Sequence, residues 1–378
     1  MKYFIPTYEQ AKEIVAKNSS LVFYETIHRL DDFKVSVFNY RLASYNDFIH
    51  PVVGMDYHAR ELRGLTYVFN EDGSYRTFLM LDKFFNINQV EETQYNLIKD
   101  LKIKSIYNKE DGSLISFIQL PNGKVLAKTR AGFDNEQALD ANHMYNTNKS
   151  IKSLVDYCML NGLNPQFEYV GFKNRIVLSY GEAELILLRV RNSNGEYLNI
   201  EDFAHFGVKL VQSEPIVSLD QILKSFETLT DKEGVVITFE NDLMVKTKTE
   251  WYCNLHRLVT ESLNRENIVI SMILDNTIDD AIAQLDPNQN KEKLEWIGTI
   301  EKMVKDYIAS RFVEITDFLT LYKGDKKDFA IRYNKDKNFY IAMKVISGND
   351  LYESIVEYVR KRTQHLIQAQ NFVKTGKM

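Results

Sequence analysis

The stretch Lys109-Glu110-Asp111-Gly112-Ser113 lies between two apolar runs, Leu101–Tyr107 and Leu114–Leu120. Both runs have the length and composition of β-strands, and Asp-Gly is a turn signal between them. A lysine at the end of a strand can be a nucleophile when partial desolvation and neighbouring cations favour its neutral amine. Taken alone, this short pattern is more often a surface hairpin turn than a catalytic site, so the rest of the chain decides.

Short strand-like runs separated by turn signals occur from residue 20 to residue 252. The predicted strands are Ser36–Tyr40, Gly64–Asn70, Ile103–Tyr107, Leu114–Leu120, Val125–Thr129, Pro165–Val170, Leu185–Val190, Gly234–Phe239 and Leu243–Thr247. Helical patterns over Asn135–Asn148 and Ile151–Asn161 interrupt them, and Gly162 ends the second. We therefore predict an α+β domain with antiparallel sheets over residues 1–255.

The sequence pattern changes after residue 255, where apolar residues recur at three- and four-residue steps. One such series runs from Leu294 to Leu319 and another from Leu351 to Phe372. We therefore predict a second, mainly α-helical domain over residues 256–378. Residues 261–320 carry 6 Lys or Arg and 12 Asp or Glu, whereas residues 321–378 carry 12 and 6. The basic half could follow a phosphate backbone, and a solvated helix face explains it equally well.

The composition is that of a globular protein, with 44% hydrophobic and 26% charged residues among 378. Only two cysteines, Cys158 and Cys253, are present, which excludes a disulfide framework and predicts a cytoplasmic protein. No apolar run has the length of a membrane span, so we expect no membrane contact. The net charge of −5 means that any nucleic acid must be bound by local patches.

Several further segments carry the residue types that nucleotidyl transfer requires. The reaction considered is attack of the Lys109 amine on the α-phosphate of a nucleoside triphosphate, with release of pyrophosphate. Lys246 and Lys248 alternate along one strand, so both would point to the same face and could hold an anion between them. Two solvated lysines on an edge strand are the ordinary alternative.

Two acids and a group of cationic and aromatic residues complete this set. Glu168 lies inside an apolar strand, where it would need a partner such as a ribose hydroxyl or a metal-bound water. Glu233 enters a strand after a turn and could order a hydrated Mg²⁺. Arg63 stands beside a glycine and suits bidentate contact with phosphate or ribose. Lys83 precedes an aromatic pair that includes Phe85 and could flank a purine. Singly, each is better explained as a surface ion pair or a core aromatic.

Taken together and in this order, the segments resemble the covalent nucleotidyltransferase superfamily of ligases and capping enzymes. They are most similar to the bacteriophage RNA ligase 1 family, the ATP-dependent enzymes that rejoin cleaved tRNA. The resemblance covers residues 20–256 and is weak in the helical region. The segments that carry it are Ala43-Ser44-Tyr45, Glu61-Leu62-Arg63-Gly64, Lys83-Phe84-Phe85-Asn86, Lys109-Glu110-Asp111-Gly112-Ser113, Glu136-Gln137-Ala138-Leu139, Asn174-Arg175-Ile176-Val177-Leu178 and Trp251-Tyr252.

The resemblance implies a lysyl-adenylate at Lys109, with ATP and Mg²⁺, or Mn²⁺ in its place, as cofactors. It implies that Glu168 and Glu233 are essential acids and that Lys246 and Lys248 bind phosphate. The residues that it implies at the nucleotide are Tyr40, Arg63, Lys83, Phe85, Lys109, Arg130, Glu168, Lys246 and Lys248. Asp279 falls near a metal ligand of the family, and Glu233 would reach the metal through water.

One departure from the family pattern concerns Lys128-Thr129-Arg130-Ala131-Gly132. Arg130 falls in register with an essential lysine of the family, and arginine does not present a point charge as lysine does. Whether Arg130 or Lys128 takes that role stays open. The role of Tyr252, which matches a tyrosine of the family, also stays open.

The resemblance therefore predicts a cytoplasmic, monomeric, ATP-dependent RNA ligase that acts in the host cytoplasm if it is encoded by a bacteriophage. It would join 5′-phosphate and 3′-hydroxyl RNA ends through a lysyl-adenylate and an adenylated RNA end, in the repair of tRNA or other RNA. A DNA ligase and a capping guanylyltransferase share this lysine chemistry and remain alternatives. A non-catalytic RNA-binding protein is the alternative from another class.

Overall fold

The computed structural model describes residues 4–17, 22–49, 58–171, 182–229, 232–249, 263, 265–282 and 291–378. The chain divides into two compact units, Met1–Asn18 with Val22–His256, and Ser19–Leu21 with Arg257–Met378. Two of the segments that carry the resemblance, 174–178 and 251–252, lie outside the described residues. Among the described residues, no helix is both long enough and apolar enough to cross a membrane.

The first four strands of the first unit form an antiparallel sheet in the order β1-β2-β3-β4. They are β1 (Phe23–Leu30), β2 (Phe33–Tyr40), β3 (Leu65–Phe69) and β4 (Tyr75–Phe78). Helix α1 (Tyr8–Lys17) packs on this sheet, because Ala11 and Ile14 share a buried cluster with Phe38 and Tyr67. The short helices α2 (Asn46–Ile49) and α3 (His58–Glu61) follow β2.

The second sheet has the order β5-β12-β11-β6. Its strands are β5 (Phe85–Asn86), β6 (Ile103–Lys109), β11 (Gly234–Phe239) and β12 (Met244–Lys248). The pair β5–β12 is parallel and the other two pairs are antiparallel. Ile106, Ile237 and Val245 pack one face of the sheet against helices α4 (Tyr95–Ile98) and α7 (Leu219–Phe226). Because side chains alternate along a strand, Lys109 and Lys246 lie on the other face.

The third sheet is antiparallel, in the order β10-β9-β7-β8. Its strands are β7 (Ser113–Gln119), β8 (Val125–Thr129), β9 (Asn164–Val170) and β10 (Glu184–Arg191). Helices α5 (Glu136–Thr147) and α6 (Lys149–Leu160) cover one face, where Phe117 and Phe167 pack with Leu154. Asn135 and Asn148 cap the two helices by accepting backbone hydrogen bonds.

The stretch Lys109–Ser113 does not close a hairpin, because β6 belongs to the second sheet and β7 to the third. The chain therefore crosses from one sheet to the other directly after Lys109. This crossing places the lysine at the edge of one sheet and next to the other. The hairpin alternative is wrong, since short local signals report a turn and not which strands pair.

The second unit is helical over its described residues. Its helices are α8 (Glu266–Leu274), α9 (Ile278–Ile282), α10 (Lys291–Leu319), α11 (Lys326–Tyr333), α12 (Phe339–Ile346), α13 (Leu351–Thr363) and α14 (Leu366–Thr375). The apolar series from Leu351 to Phe372 is not one helix, because the helical hydrogen bonding breaks at Gln364, between α13 and α14. Asn267 Nδ2 donates to the Gln364 carbonyl oxygen at 3.2 Å and so satisfies a carbonyl that the break frees. The predicted α+β class with a mainly helical second region is confirmed.

Candidate active site

Lys109, Gly234 and Lys248 lie side by side at one end of the second sheet. Gly234 begins β11 and is paired with Lys109 of β6 on one side and with Lys248 of β12 on the other. Glu233 reaches both lysines, because Lys109 Nζ donates to Oε2 at 2.7 Å and Lys248 Nζ lies 3.1 Å from Oε1. The Glu233 side chain is 2% exposed. Although burial opposes its ionisation, the two ammonium groups hold the pKa of Glu233 below its usual value.

Two glycines make this arrangement sterically possible. A Cβ at Gly234 would lie 2.0 Å from the carbonyl oxygen of Thr247, so only glycine lets β11 and β12 approach there. A Cβ at Gly112 would lie 2.3 Å from the carbonyl oxygen of Tyr169 and 3.0 Å from Glu168 Cγ. The connection after Lys109 therefore passes directly over β9 and brings the lysine towards Glu168.

Glu168 is half-buried on β9, between two residues whose side chains point to the helices. Phe167 and Tyr169 belong to the core beneath α5 and α6, so alternation sends Glu168 to the opposite face. Burial raises the pKa of Glu168 to about 8, opposed by the charge of Lys109 and reinforced by that of Glu233. The structure thus brings both predicted acids to the predicted nucleophile.

Lys246 and the segment of Lys83 meet at the parallel pair of strands. Lys246 pairs with Asn86 of β5, two residues from Lys248 along β12. The Lys83 ammonium lies 5.5 Å from the centroid of the Phe85 ring, which is 1% exposed and packs in the core of the first sheet. Contact of Phe85 with the nucleotide stays a prediction.

Three cations act on Tyr40 at the end of β2. Lys83 Nζ lies 5.8 Å and Arg130 Cζ 4.6 Å from the centroid of its ring. Burial would raise the pKa of Tyr40, but the charges of Lys83, Arg130 and Arg63 outweigh it and lower the pKa to about 7. A tyrosine with so low a pKa reports strongly positive potential, which would also attract a bound anion.

Lys128 and Arg130 occupy different environments, although they stand two residues apart. Lys128 is 1% exposed, and its Nζ donates to the carbonyl oxygen of Gly64 at 2.9 Å. Burial, with the charge of Arg130 added, lowers the pKa of Lys128 to about 7. Arg130 instead lies over the Tyr40 ring. Arg130 therefore lies beside Tyr40, another predicted site residue, whereas Lys128 contacts the backbone at Gly64.

The residues around Arg63 include some that the sequence analysis missed. Gly64 has φ of +84°, and a Cβ there would lie 2.5 Å from Met80 Sδ, so the turn after Arg63 requires glycine. Glu61, two residues before Arg63, forms a buried ion pair with Arg191. Arg191 is one of three charged residues in β10, with Glu184 and Arg189, so no local signal in the sequence singled it out.

Asp279 lies on α9 of the second unit, whereas all other predicted site residues lie in the first. Within the described residues, no group of three or more His, Cys, Asp and Glu side chains could hold a metal ion. The role of Asp279 as a metal ligand stays a prediction.

Comparison with known proteins bears on this site directly. A family model described as RNA ligase matches residues 61–252, which contain most of the predicted site residues. Among solved structures, an archaeal ATP-dependent RNA ligase in its form 1 aligns over 99% of this chain and 97% of its own, with a TM-score of 0.51 and 12% identity. A Naegleria gruberi RNA ligase with PPi aligns over 42% of this chain and 52% of its own, with a TM-score of 0.35 and 20% identity. The archaeal structure supports the fold. Because the family model matches just over half of the chain, the predicted resemblance is confirmed and the chain belongs to the RNA ligase family.

Proposed function

We propose that the chain is an ATP-dependent RNA ligase that forms a covalent adenylate on Lys109. The observation that carries the proposal is the row of Lys109, Gly234 and Lys248 around the buried Glu233 carboxylate. It provides one amine at a strand end, a carboxylate in hydrogen-bond contact with that amine, and a second cation for the phosphate. These are the groups that attack on a phosphate ester by lysine requires.

In the first step, the lone pair of Lys109 Nζ attacks the α-phosphorus of ATP. The new bond joins nitrogen to phosphorus, and the bond between the α-phosphorus and the bridging oxygen of pyrophosphate breaks. Glu233 Oε2, 2.7 Å from Nζ, orients the amine and accepts its proton. Lys246 and Lys248, on the same face of β12, neutralise the charge that develops on the α-phosphate oxygens.

The triphosphate tail fits the positive region around Tyr40. Arg63, Lys83 and Arg130 all act on that ring, so their charges converge on a small volume. Arg63 Nε is buried and has no hydrogen-bond partner among the described residues, which makes it a donor suited to a phosphate oxygen. The archaeal protein of similar fold is an ATP-dependent RNA ligase, in keeping with this proposal.

The donors beside Lys109 fit a divalent cation. Mg²⁺ is held through one or two carboxylates together with substrate phosphates, and Glu168 and Glu233 supply two carboxylates there. Burial raises the pKa of Glu168 and so disfavours its charged form, which a bound cation would stabilise. When bound, Mg²⁺ or Mn²⁺ would supply electrostatic stabilisation of the phosphate charge. The role of Asp279 as a metal ligand is proposed from the family resemblance alone.

The two later steps use the same groups. The adenylate passes to an RNA 5′-phosphate, which replaces Lys109 on the AMP phosphorus. A 3′-hydroxyl then attacks the RNA phosphate of this activated end and AMP leaves, so that a phosphodiester forms. The same proposal includes repair of cleaved tRNA, a bacteriophage origin, a monomeric state and action in the host cytoplasm, where both ATP and RNA are present.

We assign the two domains separate roles in this proposal. Residues 1–255 would carry the adenylyltransferase site, and residues 256–378 would contribute RNA specificity. The described residues 321–378 carry most of the positive charge of the second domain, which suits contact with a phosphate backbone.

The test is the intact mass of the denatured protein after incubation with Mg²⁺ and either ATP or GTP. We expect a gain of one adenylate from ATP, its absence in Lys109→Ala, and its retention in Lys104→Ala. Lys104 is a matched control because it lies on the same strand and pairs with Asp242 at the surface. An adduct that persists in Lys109→Ala would refute the assignment, a guanylate would indicate a capping enzyme, and no adduct would favour a binding protein.

A further inference from the structure

The segment from Leu79 to Lys83, which carries one of the cations that we propose to bind the triphosphate, is not part of a strand. Side chains of the third sheet hold its backbone instead. Asn164 Oδ1 accepts from the Leu79 amide at 2.9 Å, and Gln166 Nε2 donates to the Leu79 carbonyl oxygen at 3.1 Å. The Lys83 amide donates to the carbonyl oxygen of Arg60 at 2.9 Å, so the position of Lys83 depends on this single backbone hydrogen bond and on side-chain contacts, and not on a hydrogen-bonded ladder.

Arg191 is the central contact of this arrangement. Its side chain is 0% exposed, and it forms a bidentate pair with Glu61 at 2.7 and 2.8 Å. Its Nη1 also donates to the carbonyl oxygen of Met80 at 2.6 Å, and its Nε donates to that of Gly195 at 2.9 Å. The Arg191 guanidinium thus links Glu61, two residues before Arg63, to Met80, three residues before Lys83.

Tyr197 makes the second link. Its hydroxyl donates to Asp82 Oδ1 at 2.5 Å and lies 3.2 Å from the Asp82 amide nitrogen. Asp82 immediately precedes Lys83, and Arg191 lies 4.8 Å from the centroid of the Tyr197 ring. The two links therefore form one cluster of the buried Glu61 and Arg191 with the half-buried Asp82 and Tyr197, which we call the frame cluster.

A β-bulge in β10 directs Arg191 into this cluster. The register with β9 shifts between Leu187 and Arg189. Before the shift, Leu187 points to the core under α5 and α6, whereas after it Val190 does so. Arg191 consequently points to the opposite face, which is the face that carries Glu168. Without the bulge, alternation would turn Arg191 towards the apolar core.

We propose that Arg191 and Tyr197 are positioning residues, which hold Arg63 and Lys83 in place to bind the triphosphate of ATP. The inference rests on the proposed function, because it gives those two cations the role assigned above. A buried ion pair is weak evidence for stability, since desolvation cancels most of its attraction. Its geometry, by contrast, fixes two irregular segments at once, and a small displacement of phosphate-binding groups lowers binding strongly.

Two variants test this role. Tyr197→Phe removes only the hydroxyl that contacts Asp82. The double variant Glu61→Met with Arg191→Met replaces the ion pair by apolar side chains, so neither partner of the pair stays behind as an unpaired buried charge. Tyr145→Phe is the matched control, because the Tyr145 hydroxyl also donates to an aspartate, Asp156, at 2.6 Å.

The measurements are the single-turnover rate of adduct formation against ATP concentration, and the joining of a pre-adenylated RNA end without ATP. We expect the half-saturating ATP concentration to rise about tenfold in the double variant and about fivefold in Tyr197→Phe. The rate at saturating ATP and the joining of pre-adenylated RNA should stay within about twofold of the unmodified chain. The Tyr145→Phe control should match the unmodified chain throughout.

Equal losses in both reactions, or unchanged ATP dependence in a folded Tyr197→Phe protein, would overturn the positioning role. These outcomes differ from failure of the proposed function. An unmodified chain that forms no adduct would refute the proposed function, and with it the role inferred here. An adduct that forms with the same ATP dependence in all variants would refute only the role of the frame cluster.

Discussion

Replacing Lys128 by methionine should change how the stability of the chain depends on pH. The side chain is 1% exposed, and its Nζ lies 2.9 Å from the Gly64 carbonyl oxygen and 3.5 Å from Met80 Sδ. Burial, followed by the charge of Arg130, lowers the pKa of this amine from 10.5 to about 7. Methionine has nearly the same length and carries no titrating group, so it isolates the effect of the proton.

The sign and the size of the effect follow from linkage. Between pH 7 and pH 10.5 the unfolded chain binds a proton on Lys128 that the folded chain does not, so stability rises with pH across this window. Above pH 10.5 the neutral Lys128 amine adds its full contribution to the free energy of unfolding. This contribution is lost as the pH falls through about 7. At about 1.4 kcal/mol per unit of pKa, an increase from pH 7 to pH 9 should add about 2 kcal/mol to the free energy of unfolding.

The assay is urea denaturation of both proteins at several values between pH 6 and pH 9. We expect Lys128→Met to be more stable than the unmodified chain at pH 7, and the difference to shrink by about 2 kcal/mol at pH 9. The lost hydrogen bond to Gly64 subtracts about 1 kcal/mol at every pH. Lys124→Met is the control, since Lys124 is half exposed and pairs with Asp31 at the surface. Identical pH dependence in Lys128→Met and the unmodified chain would refute the reasoning.

Three further outcomes are expected. Gly234→Ala places a Cβ 2.0 Å from the Thr247 carbonyl oxygen. We expect it to lower the free energy of unfolding in urea by about 2 kcal/mol and to abolish the mass adduct. The control Gly298→Ala, with open space around its Cβ, should do neither. Lys246→Ala should change the unfolding free energy by less than about 0.5 kcal/mol and slow adduct formation about 100-fold; a large stability loss would contradict its assignment to chemistry. Burial raises the pKa of Glu168 to about 8, so the folded chain keeps a proton that the unfolded chain loses above pH 4.5. Stability should therefore fall from pH 4.5 to pH 8, and Glu168→Gln should remove that fall in the same urea assay.

The sequence predicted strands well where side-chain alternation and turn signals are local. Each of the nine predicted strands overlaps an observed one, and α5 and α6 lie where helical periodicity placed them. The strands that were not predicted are β1, β4 and β5. β5 has two residues, Phe85 and Asn86, and exists because it lies beside β12. Strand β1 is polar along much of its length, and its pairing with β2 defines it.

The candidate site was predictable where a short motif carries both the reactive group and the turn that places it. The stretch after Lys109 includes the glycine that lets it pass over β9, and Glu233 stands next to the glycine that separates two lysines. Arg191 was not predictable in the same way. Its role depends on a one-residue shift in β10 and on a partner, Glu61, that lies 130 residues away in the chain.

Glu233 and Glu61, two buried carboxylates that pair with cations, act on different parts of the bound ATP in the proposed reaction. Glu233 lies between Lys109 and Lys248, so its charge orients the nucleophile at the α-phosphate. Glu61 is held by Arg191 and fixes the segment of Arg63, which faces the triphosphate tail in the proposed complex. Replacing either pair by apolar residues would cost little stability, because desolvation nearly cancels the attraction between buried charges. The position of both pairs beside the phosphate-binding residues is therefore better explained by orientation than by folding energy.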